Sequence, residues 1–152
     1  ALNVSKKGYL FYSENFSLKG VEEGEPFELP VPMQKIKEGS SVVLNNVFFD
    51  TDQYELKPAS RVELMKLVEF LQANSSLTIE LGGHTDSVGS ESDNQLLSEK
   101  RAQAVVEFLS QNGISNDRLS AKGYGESESV ADNDTEKGRA INRRTEFKIL
   151  GQ

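Results

Sequence analysis

Two acidic runs and one arginine are the places where chemistry can start in this chain. Asp50-Thr51-Asp52 closes a stretch of bulky apolar residues, and His84-Thr85-Asp86 follows the alternating run Leu77 to Leu81 through Gly82-Gly83. Arg101 lies further on, in a segment of helical periodicity. At about 100° per residue from Asn94, Leu97, Ala102, Ala104, Val105, Phe108 and Leu109 fall on one broad face, and Arg101 falls inside it. A guanidinium taken out of water without a partner is strongly disfavoured. Arg101 must therefore pair within the fold, snorkel outwards, or bind an anionic group. Asn94 and Ser98 share its face towards the helix start, so that half of the helix is polar where the other half is apolar.

Other chemistries are poorly supplied. There is no cysteine and only one histidine, so thiol catalysis is excluded and no metal site is expected, zinc needing three or four ligands. Ser87, His84 and Asp86 are local neighbours without a glycine elbow around the serine. No catalytic residue is expected, and His84 reads as a hydrogen-bonded structural residue. The run Asp132 to Gly138 looks calcium-like, but its glycine comes one place late and Arg143 stands where a bidentate Glu belongs. A net charge of −7 argues against nucleic acid and anionic lipid as partners. No run of about 18 apolar residues is present, so no direct membrane insertion is expected of this segment. The start shows no leader or lipidation cysteine, which suggests a mature fragment whose anchor, if it has one, lies outside this sequence.

The elements that must position these residues read as follows. Val42 to Asp50 is a strand candidate. Pro58 opens a helix whose apolar positions are Val62, Met65, Leu67, Val68 and Leu71. Leu77 to Leu81 is a strand ending in Gly82-Gly83. A second helix runs from about Ser92 to Gln111 and stops at Asn112-Gly113, with Ile114 placed for the contact of a glycine-capped terminus. Leu119 to Tyr124 is a strand, Asp134 to Asn142 a turn or short helix, and Thr145 to Leu150 the last strand. The order β-α-β-α-β-(α)-β predicts an α+β two-layer sandwich, a mixed sheet with helices packed on one face and at least one parallel pair. Ligand crevices form outside the carboxyl ends of parallel strands. Asp50, Asp52, His84, Thr85 and Asp86 would meet there beside a helix start, although polar strand ends can equally be solvated loop.

Residues 1–34 read as an N-terminal arm and linker, and residues 35–152 as the main domain. Val21 to Met33 holds Pro26, Pro30 and Pro32 with several glutamates and looks extended. Gly8 to Leu18 is aromatic and could form one or two strands, either a remnant of a preceding β-rich domain or an arm packed on the main one.

The run Gly83-His84-Thr85-Asp86-Ser87-Val88-Gly89 resembles the GHTDxxG signature of OmpA-like domains, the OmpA/MotB C-terminal family. Asn94 to Ala102 is similar to that family's NxxLSxxRA helix, and Val47-Phe48-Phe49-Asp50 to its first strand. Arg118-Leu119 with Gly123-Tyr124-Gly125-Glu126 resembles the third-strand region. Asn133, Thr135, Gly138-Arg139-Ala140 and Asn142-Arg143-Arg144 are similar to the closing motif. The resemblance implies a non-enzymatic, cofactor-free module on the periplasmic side of the outer membrane. It would hold peptidoglycan through the zwitterionic, diaminopimelate-type end of the stem peptide and so anchor an outer-membrane protein to the cell wall. The family's binding aspartate falls on Asp86 and its binding arginine on Arg101, with supporting contacts at Thr85, Asn94, Arg143 and Asp50. Asp52 stands where relatives often have Asn, so an acid there could attract the ammonium or repel the carboxylate. The competing reading is a structural protein–protein domain in which Asp86 and Arg101 form an internal ion pair. A cell-wall hydrolase lacks a nucleophile or metal set, and oligomeric state carries no signal.

Overall fold

Proline at the start of a helix and glycine past its end are local signals, and both operate here. The computed structural model describes residues 2–14 and 28–152, so most of the expected linker, Val21 to Met33, lies outside the described residues. The chain divides into two compact units, Ala1–Ile36 and Lys37–Gln152. In the first, β1 (Leu2–Val4) pairs antiparallel with β2 (Tyr12–Glu14), and Tyr9 bridges Lys35. Only β2 falls within the stretch expected to form strands, and residues 15–18 of that stretch are not described.

The second unit opens with β3 (Ser41–Val43), followed by α1 (Pro58–Ala73), β4 (Thr78–His84) and α2 (Glu91–Gln111). A 3-10 turn, Asn116–Arg118, then leads into β5 (Leu119–Gly125), α3 (Glu136–Asn142) and β6 (Thr145–Gly151). Pro58 sits in the first turn of α1, after an extended Lys57. Ser90 caps α2 by accepting from the Asp93 amide at 3.1 Å, and Glu91 and Asp93 place negative charge at its positive end. The other end closes as a Schellman motif: Ile114 N–H donates to Leu109 at 3.1 Å and Gly113 N–H to Ser110 at 3.1 Å, with Gly113 at φ 92°. Ile114 is buried beneath this turn.

The sheet order is β3-β6-β4-β5. β4 and β5 are parallel and joined through α2; β6 is antiparallel to both β4 and β3. β3 and β4 therefore run the same way with β6 between them, and their carboxyl ends share an edge as expected. One face of the sheet carries Ile79, Leu81, Phe147 and Ile149, all buried, while Lys148 and Leu150 face outwards. Leu64, Leu67 and Leu71 of α1 and Ala102, Val105 and Leu109 of α2 are fully buried, completing a two-layer α+β sandwich. Each buried leucine contributes roughly 1.5–3 kcal/mol.

Two expectations fail. The strand expected over Val42 to Asp50 ends at Val43. Beyond it Val47 N–H turns back onto Leu44, and the Phe48 backbone is held by the Ser60 hydroxyl, which accepts from its N–H at 2.8 Å and donates to its carbonyl at 3.1 Å. The loop thus bonds to the start of α1 instead of to a strand. In α1 Leu67, Val68 and Leu71 of the apolar pattern are buried, but Val62 and Met65 are exposed, and Ser60, Glu63, Leu64 and Phe70 are buried as well. The inward face thus takes in two polar residues that the apolar pattern leaves out.

Helix α2 sits directly on β4 and β5. A Cβ on Gly83 would lie 2.1 Å from the Ser98 carbonyl oxygen, and one on Gly123 would lie 2.6 Å from the Glu99 nitrogen. Helix backbone therefore packs against strand backbone, and the Ser98 hydroxyl accepts from Gly125 N–H at 2.9 Å. This seating carries the polar start of α2 to the edge where β4 ends.

Candidate functional site

An open groove of about 1150 Å³ lies at that edge. Its lining includes Phe48 to Asp52, His84 to Asp86, Asn94, Arg101, Glu136, Arg139 and Arg143 to Glu146. All six candidate binding residues are among them.

Asp86 is buried at the end of β4. Its Oδ1 accepts from the Val88 N–H at 3.0 Å, which fixes the turn, and its Oδ2 accepts from Arg143 Nη1 at 2.6 Å. Arg143 follows α3 and also donates through Nη2 to Glu136 at 2.8 Å. The hydrogen bonds to Asp86 and then to Glu136 raise the guanidinium above its ordinary pKa, and Arg143 followed by Arg139 holds Glu136 below the usual carboxylate range. Asn142 is fully buried and ties down the loop before α3: its Oδ1 accepts from Val130 and Ala131 N–H, and its Nδ2 donates to the Ala131 carbonyl and to Asn133. Asn133 in turn accepts from Ser87 N–H at 3.3 Å.

Arg101 is buried but does not hydrogen-bond to Asp86. Its Nε donates to the Gln53 carbonyl at 2.9 Å and its Nη2 to the Asp50 carbonyl at 3.2 Å, and the guanidinium lies 5.1 Å from the Phe49 ring centre. The direct internal Asp86–Arg101 pair is therefore replaced by Asp86–Arg143. Burial lowers the Arg101 pKa; Asp52 and Asp86 oppose this, and the like charge of Arg143 adds to it. Both guanidinia and the Asp86 carboxylate line the groove.

Asn94 is buried and donates to the Asp86 carbonyl at 3.2 Å and to Glu126 at 2.6 Å. Thr85 donates its N–H to Gly125 at 2.8 Å, but its buried hydroxyl has no hydrogen-bond partner among the described residues. Asp50 contributes its carbonyl; its carboxylate is exposed and paired with Lys57. Asp52 has a positive φ of 55°, a strained conformation for a non-glycine residue at the turn. Glu126 and Asn133 stand in the family-like motifs without an assigned contact, and Glu136 is not singled out in the sequence at all.

His84 departs from expectation. It is fully enclosed and stacks on Tyr124, with centroids 4.8 Å apart and planes at 1°, yet neither ring nitrogen makes a hydrogen bond among the described residues. Nε2 lies 3.4 Å from Glu146 Oε1, a contact that falls short of a hydrogen bond. That contact, followed by Arg144, holds Glu146 below the usual carboxylate range despite partial burial. The calcium-like run is instead a helix cap: Asp132 accepts from Asp134 N–H at 2.8 Å and Thr135 from Gly138 N–H at 3.0 Å. Among the described residues the one group with metal-ligand spacing is His84, Glu128 and Glu146.

Residues 48–143 match the model of the OmpA family. Outer membrane porin F of Pseudomonas fluorescens is 43% identical over 107 residues, covering 70% of this chain and 33% of the porin. Outer membrane protein A of Bordetella avium is 40% identical over 128 residues, 84% of this chain and 63% of that protein. The chain thus spans between a third and two thirds of these relatives. Among solved structures, the peptidoglycan-associated lipoprotein from Burkholderia pseudomallei superposes with a TM-score of 0.62 at 29% identity, covering 70% of this chain and 88% of that one.

Proposed function

Since the chain belongs to the OmpA family, whose domains are non-enzymatic cell-wall anchors on the periplasmic side of outer-membrane or peptidoglycan-associated proteins, we propose that the groove holds the zwitterionic end of a peptidoglycan stem peptide, of the diaminopimelate type. The observation that carries this is a groove lined by one buried carboxylate, Asp86, and two guanidinia, Arg143 paired with it and Arg101 held on backbone carbonyls. A ligand ammonium would approach Asp86, and its carboxylate would be met by the two arginines. Thr85 adds a hydroxyl without a hydrogen-bond partner among the described residues, and Asn94 orients the Asp86 backbone. Asp50 acts through its carbonyl by holding Arg101. A site carrying both signs of charge disfavours ligands with only one, because the other charge is left unmatched.

The groove walls include exposed Phe48, Val88, Val130 and Ile141, apolar surface suited to the alkyl parts of a peptide. Sedimentation of the protein with insoluble peptidoglycan, with free diaminopimelate as competitor, tests the reading. Co-sedimentation that diaminopimelate displaces, and that a diamine without a carboxylate does not, is the expected result. The satisfied Asp86–Arg143 pair also suits a structural protein–protein domain, and absence of co-sedimentation would favour that reading.

A further inference from the structure

We propose that His84, Glu128 and Glu146 form a binding site for a divalent, nitrogen-accepting metal ion of the zinc type. Their donor atoms all lie within 4.8 Å of one another. Ligands about 2.0–2.2 Å from a zinc ion sit somewhat closer together than this, and Glu128, on the surface, is free to close the difference.

The acidic pair alone would be unremarkable. The independent observation is the imidazole. His84 is 1% exposed and neither nitrogen makes a hydrogen bond among the described residues, although one of them faces Glu146 at 3.4 Å. An enclosed polar group without a partner is costly, and a metal bound through a ring nitrogen removes that cost for one of the two. The ring is also held rigidly, stacked on Tyr124 and seated over Gly82, where a Cβ would come within 3.3 Å of Nε2. The loop carrying Glu128 is fixed by the Ser127 hydroxyl on the Tyr124 carbonyl at 2.6 Å and by Arg144 Nη1 on the Glu128 carbonyl at 3.1 Å. Arg144 Nε also lies 3.5 Å from Glu146. An arriving cation would displace that long contact and leave the bond to the Glu128 carbonyl. One imidazole with two carboxylates suits zinc better than calcium or magnesium, which take oxygen ligands in larger number. Three protein ligands leave a fourth position open, and two of them, His84 and Glu146, line the groove.

Isothermal titration of the chelator-treated full chain with zinc, calcium and magnesium chlorides tests this. One zinc ion per chain is expected, with weaker or no binding of the other two. Glu128→Gln and Glu146→Gln should each weaken zinc binding by more than about tenfold, the loss typical of disturbing a metal's support. Glu128 is exposed, so its variant keeps the test valid should the others fold poorly. Absence of zinc binding, equal affinity for calcium, or zinc binding unchanged by Glu128→Gln would overturn the site.

Discussion

Arg143 reaches Asp86 with a 2.6 Å hydrogen bond, while Arg101, on the inner face of α2, spends its donors on the carbonyls of Asp50 and Gln53. The two arginines thus have different duties in the groove. One orients the carboxylate; the other fixes the loop that forms the opposite wall.

Asp86→Asn separates charge from shape, since an amide oxygen can still accept from the Val88 N–H. The variant should fold and melt close to the parent but lose wall binding by about 2–5 kcal/mol, the range for breaking a buried charged contact. That is at least about 30-fold. Peptidoglycan sedimentation beside circular dichroism melts reads both quantities. A stable Asp86→Asn protein that still sediments with the wall would remove Asp86 from the site.

Arg101→Lys keeps the charge and loses the fork. An ammonium can reach one carbonyl but not hold Gln53, Asp50 and a ligand carboxylate together. Wall binding should fall more than tenfold, about 1.4 kcal/mol, with a lower melting temperature from loosening of the loop before α1. Binding retained at the parental level would show that charge alone suffices.

Tyr124 predicts an alkaline limb in the stability profile. Burial first, and then its 2.6 Å hydrogen bond to Glu80, push the phenol above the ordinary tyrosine range. A group whose folded pKa is raised contributes stability that is complete below its unfolded value, about 10, and is lost as pH rises through the folded value. Tyr124→Phe should cost about 1 kcal/mol at neutral pH and flatten the decline above about pH 10. Urea unfolding across that range, with phenolate absorbance to count titrating tyrosines, checks it. All four tyrosines ionising together in the folded protein would contradict it.

Much of this was legible in the sequence because its determinants are local. The β4-α2-β5 passage and the Schellman end at Gly113 follow from periodicity and caps that span a few residues. The anomaly of Arg101 was visible too, but its partners were not, because backbone carbonyls of a distant loop leave no mark on residue identity. The same limit hid the strand end at Val43, which depends on the Ser60 hydroxyl meeting Phe48 across the fold. In α1 the apolar pattern pointed to Val62, whereas Ser60 and Glu63 are enclosed by contacts that only the tertiary structure creates. His84 failed for a related reason: the ring is held by stacking on Tyr124, from a strand paired beside its own.

Gly83 is the position where the fold and the site are most tightly coupled. It is the penultimate residue of β4, just before His84-Thr85-Asp86, and an added Cβ would stand 2.1 Å from the Ser98 carbonyl oxygen and 2.9 Å from its carbon. Both are helix backbone atoms, so no side-chain rotation relieves the clash; α2 as a whole must lift from the sheet. That helix carries Asn94, Ser98 and Arg101. Gly83→Ala should therefore cost about 3 kcal/mol or more, the upper range for overpacking, and should lose wall binding in whatever fraction still folds. Gly113→Ala is the control. Gly113 has φ 92° with nothing within 4 Å of a built Cβ, so alanine there meets only backbone strain. Its cost should be about 1–2 kcal/mol, and wall binding should survive because the far end of α2 is remote in sequence from the groove residues. Thermal melts and sedimentation of the two variants side by side distinguish the mechanisms. A Gly83→Ala protein that melts and binds like the parent would show that α2 does not rest backbone to backbone on β4.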